Sequence, residues 1–388
     1  NHGFHDGTIV RTGAELRLGK SAPDNTARVY NIYEWLMLEE GSQLYVERPR
    51  SNYQSPNWNG VIHFLGDATI YVPNDEFDLN ENAGYLMGSG NLIKDGNATV
   101  RLMGYSPEFT GDIVIVDGWV HDYGYAGTSI PNADQIIIGL NDATNRGSVG
   151  FVVRPERNDH GTIWDVAQDI IVQGDSSDTR IGVRRADHND EVNFLGDIDL
   201  TNFDPDGGSI RELRIWVERA LDNRDATGGD EFREDYFVNF SGDITGGDKR
   251  IRTFVESQPL NWGGYTNQVD SGPGSQSPEE FDMMAFITFT GSNSGWTGTL
   301  EMGIREAGSI DPRYEGPDQD KRHFVRFGKN DGAATMSIGP SNAVILRHDA
   351  TLQAFGSEVT IGSLFSDGIA ANNTSDYADA DPVSNAFV

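Results

Sequence analysis

The chain has 388 residues, of which 60 are acidic and 29 basic, and its formal net charge is -31. This surplus repels phosphate backbones and anionic lipid, which argues against nucleic acid as a partner and against membrane insertion. The chain also has no cysteine and no apolar run as long as a membrane-spanning helix. Because it begins at Asn1 without a methionine, we expect a processed, extracellular product.

Most of the chain consists of short runs of alternating apolar and polar residues that end at Gly, Asn, Asp or Ser. Early in the chain, residues 32–40 fit a short helix, and residues 210–221 fit either a helix or a strand. The clearest predicted strands are 98–103, 113–116, 136–140, 169–172 and 324–327. Strands this short and this regularly interrupted predict an all-β architecture.

A motif of phenylalanine followed by Gly-Asp recurs along the chain. Its copies are Phe64-Leu65-Gly66-Asp67, Phe109-Thr110-Gly111-Asp112, Phe194-Leu195-Gly196-Asp197, Phe240-Ser241-Gly242-Asp243 and the looser Phe289-Thr290-Gly291-Ser292. The intervals between the phenylalanines are 45, 85, 46 and 49 residues, and 85 is close to two periods. The alternatives are chance recurrence in a glycine-rich chain and a four-stranded propeller blade. A propeller needs tight hairpins, and Asn-Gly or Asp-Gly turns between equal strands are not the rule here.

The repeat therefore predicts a right-handed parallel β-helix (a solenoid) with decorated loops. Residues 1–388 would form one domain with a period of about 45 residues, or two coils of about 22 residues each. Some 17 coils would make a rod of about 80 Å at about 4.8 Å per coil. Each Phe should stack on the neighbouring coil, each Gly should relieve a clash at the bend, and each Asp should accept N–H groups in its turn.

One segment carries a family resemblance. Residues 90–104 read Gly-Asn-Leu-Ile-Lys-Asp-Gly-Asn-Ala-Thr-Val-Arg-Leu-Met-Gly, and residues 105–120 continue as Tyr-Ser-Pro-Glu-Phe-Thr-Gly-Asp-Ile-Val-Ile-Val-Asp-Gly-Trp-Val. This resembles the autotransporter-associated β-strand repeat, although Ala98 replaces a family Gly and Val100 a family Leu. Partial matches lie at residues 295–303 and 350–364. The resemblance implies a passenger-like β-helix of a secreted or surface protein.

We therefore expect a non-enzymatic structural protein that self-associates through its solenoid ends or edges into a fibre, sheath or surface array. No cofactor is predicted with certainty, but calcium is possible, because carboxylates on Gly-rich turns suit Ca²⁺. The segment from Asp78 begins like an EF-hand loop but departs from it at Ala83 and Ser89. The alternative for every candidate ligand is a solvated acidic loop. The candidates are Asp78, Asn80, Asn82, Asp204, Asp206, Asp222, Asp225 and Asp230.

Two other functions stay open at this point. A polysaccharide lyase or glycosidase could use Asp187, Asp190 and Glu191 beside Arg184 and Arg185. A carbohydrate-binding adhesin that recognises a cell-surface glycan could use exposed aromatic rings as sugar platforms. The alternative for each of those rings is a place in the core. The candidate rings are Trp58, Trp119, Trp262, Tyr265 and Trp296.

Overall fold

The fold is seen in a computed structural model. It describes residues 7–19, 31–47, 57–74, 76–79, 84–124, 128–141, 147–155, 163–174, 176, 178–186, 191–203, 212–219, 236–257, 285–302, 323–327, 341–346, 350–354 and 361–366. These residues contain 33 strands and no helix, so the predicted all-β class is confirmed. Within the same residues, no helix long and apolar enough to cross a membrane is found.

The strands in chain order are β1 (Thr8–Val10), β2 (Glu15–Leu18), β3 (Asn31–Ile32), β4 (Leu36–Leu38), β5 (Ser42–Val46), β6 (Asn57–Trp58), β7 (Ile62–Phe64), β8 (Ala68–Tyr71), β9 (Glu76–Leu79), β10 (Leu86–Gly88), β11 (Leu92–Asp95), β12 (Thr99–Leu102), β13 (Glu108–Phe109), β14 (Ile113–Ile115), β15 (Gly118–Asp122), β16 (Gln135–Ile138), β17 (Ser148–Val153), β18 (Ile163–Val166), β19 (Asp169–Val172), β20 (Asp178–Ala186), β21 (Glu191–Phe194), β22 (Ile198–Asp199), β23 (Leu213–Arg219), β24 (Tyr236–Phe240), β25 (Ile244–Gly247), β26 (Ile251–Ser257), β27 (Ala285–Phe289), β28 (Gly295–Trp296), β29 (Thr299–Met302), β30 (His323–Phe327), β31 (Ala343–Leu346), β32 (Ala350–Ala354) and β33 (Ser363–Ser366).

The strands form four parallel sheets. Their orders are β1-β4-β7-β10-β13 in the five-stranded sheet, β2-β5-β8-β11-β14-β16-β19-β22-β25-β28 in the ten-stranded sheet, β3-β6-β9-β12-β15-β17-β20-β23-β26-β29-β31-β33 in the twelve-stranded sheet and β18-β21-β24-β27-β30-β32 in the six-stranded sheet. Up to β15 the chain visits the five-, ten- and twelve-stranded sheets in turn, and from β18 the six-stranded sheet takes the place of the five-stranded one. Most strands therefore pair with a strand of the preceding and of the following circuit.

The helix expected at residues 32–40 is wrong. Leu36–Leu38 is a strand that pairs with β1 on one side and β7 on the other. Leu36 and Leu38 are fully buried and Met37 between them faces outward. The two-residue spacing of these leucines therefore decides the structure, because nine residues are too few for a helical period to compete with it.

The number of strands in each period differs between the two halves of the chain. Phe64 pairs with Gly88, and Gly88 pairs with Phe109, so this interval of 45 residues covers two strand positions, as predicted. Phe194, in contrast, pairs directly with Phe240, and Phe240 with Phe289. The prediction of two coils per period is wrong there, because the connections are longer. From Asp199 to Leu213 the chain takes 14 residues, whereas the equivalent step from Asp95 to Thr99 takes four.

Among the described residues, the longest sheet has twelve strands. At about 4.8 Å a strand, these twelve span roughly 50 Å.

The predicted aromatic stack runs through the core. Phe194 and Phe240 are parallel, with ring centroids 4.8 Å apart, and Phe240 stacks on Phe289 at 5.3 Å. Phe64 and Phe109 meet edge to face at 5.5 Å across Gly88, which leaves room between them. All five rings are at most 2% exposed. Inward residues of successive strands therefore build one apolar column.

The Gly-Asp corner also holds the strands together. A Cβ on Gly242 would lie 2.1 Å from the carbonyl oxygen of Gly196, so a side chain cannot fit. Asp197 accepts a hydrogen bond from the backbone N–H of Asp243 through Oδ1 at 2.7 Å, and Asp243 accepts one from Ser292 N–H at 2.6 Å. The glycine prediction is confirmed. The aspartate prediction needs correction, because these carboxylates bind the following strand position and not their own turn.

A buried carboxylate stabilises the place where the five-stranded sheet ends. Asp122, which is fully buried, accepts hydrogen bonds from Thr128 Oγ1 at 2.6 Å, Ser129 N at 2.8 Å and Gly124 N at 3.2 Å. Burial raises the pKa of Asp122, although these hydrogen bonds oppose the increase. Ser129 in turn accepts the N–H of Ser106 through its carbonyl at 2.7 Å. The segment around Ser129 therefore takes the place of a strand between β13 and β18.

Candidate functional site

The outer side of the twelve-stranded sheet gathers basic, aromatic and acidic side chains. We call this surface the arginine–aromatic face. It comprises Arg101, Arg154, Arg180, Arg214, Arg250 and Arg252, the rings of Trp119, His121, Tyr123 and Trp216, and the carboxylates Glu76, Asp78, Asp178, Glu212 and Glu301. Strand alternation places these residues outward, because their neighbours Val120, Ile181 and Ile215 point into the core. With six arginines and five carboxylates, the face lacks the acidic surplus of the whole chain.

Arg180 lies between two tryptophans at the centre of this face. Its guanidinium carbon is 5.5 Å from the ring centroid of Trp119 and 5.5 Å from that of Trp216. A Cβ on Gly150 would lie 2.6 Å from Cζ3 of Trp119, and one on Gly182 would lie 2.9 Å from Cε3 of Trp216. The two glycines thus make space for rings that lie on the neighbouring strand. This arrangement stabilises the sheet through aromatic packing and cation–π contacts.

Carboxylates connect the arginines of successive strands. Asp178 binds Arg180 at 2.7 Å and Arg214 at 3.1 Å. Burial alone would raise the pKa of Asp178, but the hydrogen bonds and charges of these two arginines lower it overall. Glu212 lies within 3.5 Å of Arg214, Arg250 and Arg252. Each of these two carboxylates therefore links arginines from neighbouring strands of the sheet.

The amino-terminal part of the face has the same character. Arg101 pairs with Asp78, through Nη2 to Oδ2 at 2.9 Å, and with Glu76 at 2.9 Å. The guanidiniums of Arg101 and Arg154 lie 5.7 Å and 4.4 Å from the ring centroid of Tyr123. Because these carboxylates are bound to arginines, the arrangement suits cohesion and binding better than proton transfer.

The predicted calcium ligands can be compared with the structure at one position. Asp78 lies in β9, where its carboxylate is paired with Arg101. The other candidates, Asn80, Asn82, Asp204, Asp206, Asp222, Asp225 and Asp230, lie outside the described residues. Across the described ranges, no group of three or more His, Cys, Asp or Glu side chains is placed to hold a metal ion. Calcium binding stays a prediction.

The aromatic candidates divide into core and surface residues. Trp58 and Trp296 are only 1% and 3% exposed, and their Nε1 atoms donate to the carbonyls of Glu34 and Lys249. For these two rings the core alternative holds. Trp119 lies on the arginine–aromatic face and is half-buried, whereas Trp262 and Tyr265 lie outside the described residues.

The lyase candidates are described only in part. Asp187, Asp190 and the side chain of Arg185 lie outside the part of the chain that the structure describes. Arg184 belongs to β20 and Glu191 opens β21. Glu191 accepts a hydrogen bond from Asn239 Nδ2 at 2.9 Å.

Lys94, the lysine of the family-like segment, lies near the end of β11. Its side chain is fully buried, and Nζ donates to the carbonyls of Asp95 at 3.0 Å, Gly96, and Asp117 at 2.9 Å. Asp117 lies one circuit further along, so the amine ties two circuits together. Burial lowers the pKa of Lys94 to about 7, against the opposing charges of Asp117 and Asp95.

This buried amine predicts a pH-dependent stability. A lysine in an unfolded chain keeps its proton up to a pKa of about 10.4, whereas folded Lys94 loses it near pH 7. Between pH 7 and about pH 9 the unfolded state binds more protons, so the wild-type protein should gain stability relative to Lys94→Met as the pH rises. Melting temperatures of both proteins across this range provide the measurement. Parallel curves for the two proteins would contradict the prediction.

Comparisons of the chain with protein-family models, with curated proteins and with solved structures give no match. The class that the structure defines is thus an all-β protein of long parallel sheets. The resemblance to the autotransporter-associated repeat stays a prediction.

Proposed function

We propose that the parallel sheets are the faces of a right-handed parallel β-helix, and that the protein is an extracellular structural protein whose copies stack end to end. The order in which the chain visits three sheets supports the helix, since winding around a common axis returns a chain to each sheet in turn. The right hand follows from the handedness of nearly all parallel crossover connections.

The proposed stacking rests on one observation, which is that core residues at the two ends of the sheets are exposed. Leu364 of β33 continues the inward column of Leu300 and Val344, which are 1% and 0% exposed, yet Leu364 is 40% exposed. At the opposite end, Leu16 is partly exposed, although Leu44 beside it in the same column is fully buried. Within the part of the chain that the structure describes, both ends of the sheets thus present apolar side chains together with the edges of parallel strands. Such edges are templates for pairing with another chain.

The parallel sheets also suit a head-to-tail contact. When one copy follows another along the axis, β33 of the first continues into β3 of the second, because both are end strands of the twelve-stranded sheet. Among the described residues, the ten-stranded sheet ends at β28, two strand positions short of β33, so the contact rests on the twelve-stranded sheet. This contact joins two different surfaces and does not close, so it generates a filament.

The test is sedimentation velocity with negative-stain microscopy across protein, salt and calcium concentrations. We expect the wild-type protein to form filaments, more readily when salt screens the net charge of -31. Leu364→Asp should remain monomeric, because it places a carboxylate on the open end of the core.

The matched control is Leu195→Asp. Leu195 is 44% exposed and lies at the corner after β21, away from both ends of the sheets. This variant should assemble like the wild type. A wild-type protein that stays monomeric under every condition would overturn the proposal. The adhesin and polysaccharide-lyase alternatives stay predictions.

A further inference from the structure

The tripeptide Asn-x-Ser or Asn-x-Thr, with x other than Pro, is the acceptor sequence for N-linked glycosylation on the surface of exported proteins. The chain contains this tripeptide at Asn97, Asn239, Asn372 and Asn373. The last two lie outside the described residues. The structure distinguishes the first two, because a folded protein accommodates a sugar only on an asparagine whose side chain faces solvent and whose amide is free.

Asn97 lies in the turn between β11 and β12, at the corner between the ten- and twelve-stranded sheets. Neighbouring circuits fix this turn, because Ala98 donates its N–H to the carbonyl of Val72 and its carbonyl accepts the N–H of Trp119, both at 3.1 Å. A Cβ on Gly96 would lie 2.5 Å from the carbonyl oxygen of Val72. The side chain of Asn97 is nevertheless exposed, and it forms no hydrogen bond or ion pair with the described residues. Its amide is therefore a free group on a rigid corner.

Asn239 has the opposite surroundings. It lies within β24, where its Nδ2 donates to Glu191 Oε1 at 2.9 Å and to Asn193 Oδ1 at 2.8 Å. Both amide hydrogens are thus used, and a sugar on this nitrogen would replace one of them. The flanking residues Val238 and Phe240 are each 2% exposed, so Asn239 cannot leave the sheet without exposing the core. A glycan at Asn239 is therefore incompatible with the fold.

From this contrast we infer that Asn97 is an N-glycosylation site and that Asn239 stays unmodified. The donor is a sugar activated as a diphosphate ester of a lipid or a nucleoside. Nδ2 of Asn97 forms a bond to the anomeric carbon while the bond from that carbon to the diphosphate oxygen breaks. The diphosphate leaves with the electron pair, and the amide proton passes to a base of the transferase. The inference rests on the extracellular location in the proposed function, because exported proteins are the usual acceptors.

The modification has to precede folding. Thr99, whose hydroxyl completes the tripeptide, is only 9% exposed and pairs in the sheet with Glu76 and Trp119. A transferase cannot reach this hydroxyl in the folded chain, whereas a glycan already attached to Asn97 displaces no contact. Because β11 and β12 are each the fourth strand of their sheets, the glycan leaves both ends of the sheets free for stacking.

The experiment is peptide mapping by mass spectrometry of wild type, Thr99→Ser and Thr99→Val, each produced in the source organism. We expect a glycan on Asn97 in wild type and Thr99→Ser, and its complete loss in Thr99→Val, which keeps the shape of threonine without the hydroxyl. An oligosaccharide on Asn97 identifies a lipid-linked donor and a single sugar a nucleotide-linked one, and either supports the inference. If Thr99→Val does not fold by circular dichroism, Asn97→Gln replaces it.

The glycosylation and the stacking fail in different ways. Unmodified Asn97 in the wild-type protein, a glycan that persists on it in Thr99→Val, or a glycan on Asn239 overturns the inference. Filaments built from unmodified chains would leave end-to-end stacking intact. A protein that is glycosylated at Asn97 but forms no filaments overturns the stacking and leaves the assignment of Asn97 in place.

Discussion

Phe240→Ala is expected to lower the free energy of unfolding by about 3–5 kcal/mol, the usual loss for a large aromatic residue removed from a core. Phe240 is 2% exposed and stacks on Phe194 at 4.8 Å and on Phe289 at 5.3 Å. Its removal leaves a cavity between two rings that are fixed by their own strands. The neighbouring strands cannot close this cavity, because their spacing is set by the backbone ladder.

Urea unfolding followed by circular dichroism measures the loss, and hydrogen exchange locates it. Each strand of a stacked array contacts mainly its neighbours, so faster exchange should appear in β21, β24 and β27 before it appears elsewhere. The control is Leu195→Ala, since Leu195 is 44% exposed. It should change stability by less than about 0.5 kcal/mol. Equal losses for the two variants would show that the phenylalanine column is not the main source of cohesion.

The phenylalanine motif illustrates what the sequence is able to predict. Each residue of the motif has a role that only its residue type can fill. The ring of Phe194 stacks on Phe240, and Gly196 has no side chain to clash with a neighbouring carbonyl oxygen. The carboxylate of Asp197 accepts a backbone N–H. Because the same demands recur at several positions along the sheets, the motif repeats and can be recognised without a structure. The spacing of the motif does not, however, predict how many strand positions separate two copies. The steps from Phe64 to Phe109 and from Phe194 to Phe240 are almost equal in length, yet the first crosses two strand positions and the second crosses one.

The arginine–aromatic face was not predicted, although Trp119 was named as a possible sugar platform. Its partners come together only through the strand register. Gly150 and Trp119 are cross-strand neighbours, as are Gly182 and Trp216, and neither pair has a fixed sequence spacing. The alternation in Arg214-Ile215-Trp216-Val217 indicated a strand with two outward residues, but not the glycine on which Trp216 lies. Contacts of this kind depend on connection lengths, which vary along the chain.

Glu212→Gln is the second substitution expected to have a large effect. Glu212 is 3% exposed, and three guanidiniums face its carboxylate, from Arg214 at 3.3 Å, Arg252 at 3.4 Å and Arg250 at 3.5 Å. Glutamine keeps the shape and removes the charge, so three cations from two strands are left facing a neutral amide. Removing one partner of a buried ion pair costs about 3–5 kcal/mol when the remaining charge stays desolvated. We expect a loss at the lower end of this range, because Arg214 keeps Asp178 and Arg250 keeps Glu301 as partners.

Salt distinguishes this effect from that of a surface ion pair. Glu39→Gln is the matched control, because Glu39 pairs with the exposed Arg11, whose side chain is 72% accessible. Its small effect should disappear in 1 M salt, where the Debye length is about 3 Å. The loss in Glu212→Gln should persist in the same salt, since buried charges are screened much less than exposed ones. Adding Arg252→Gln to Glu212→Gln should recover part of the loss, because it removes one of the three positive charges around the neutral amide. A double variant less stable than the single one would contradict this account of the face.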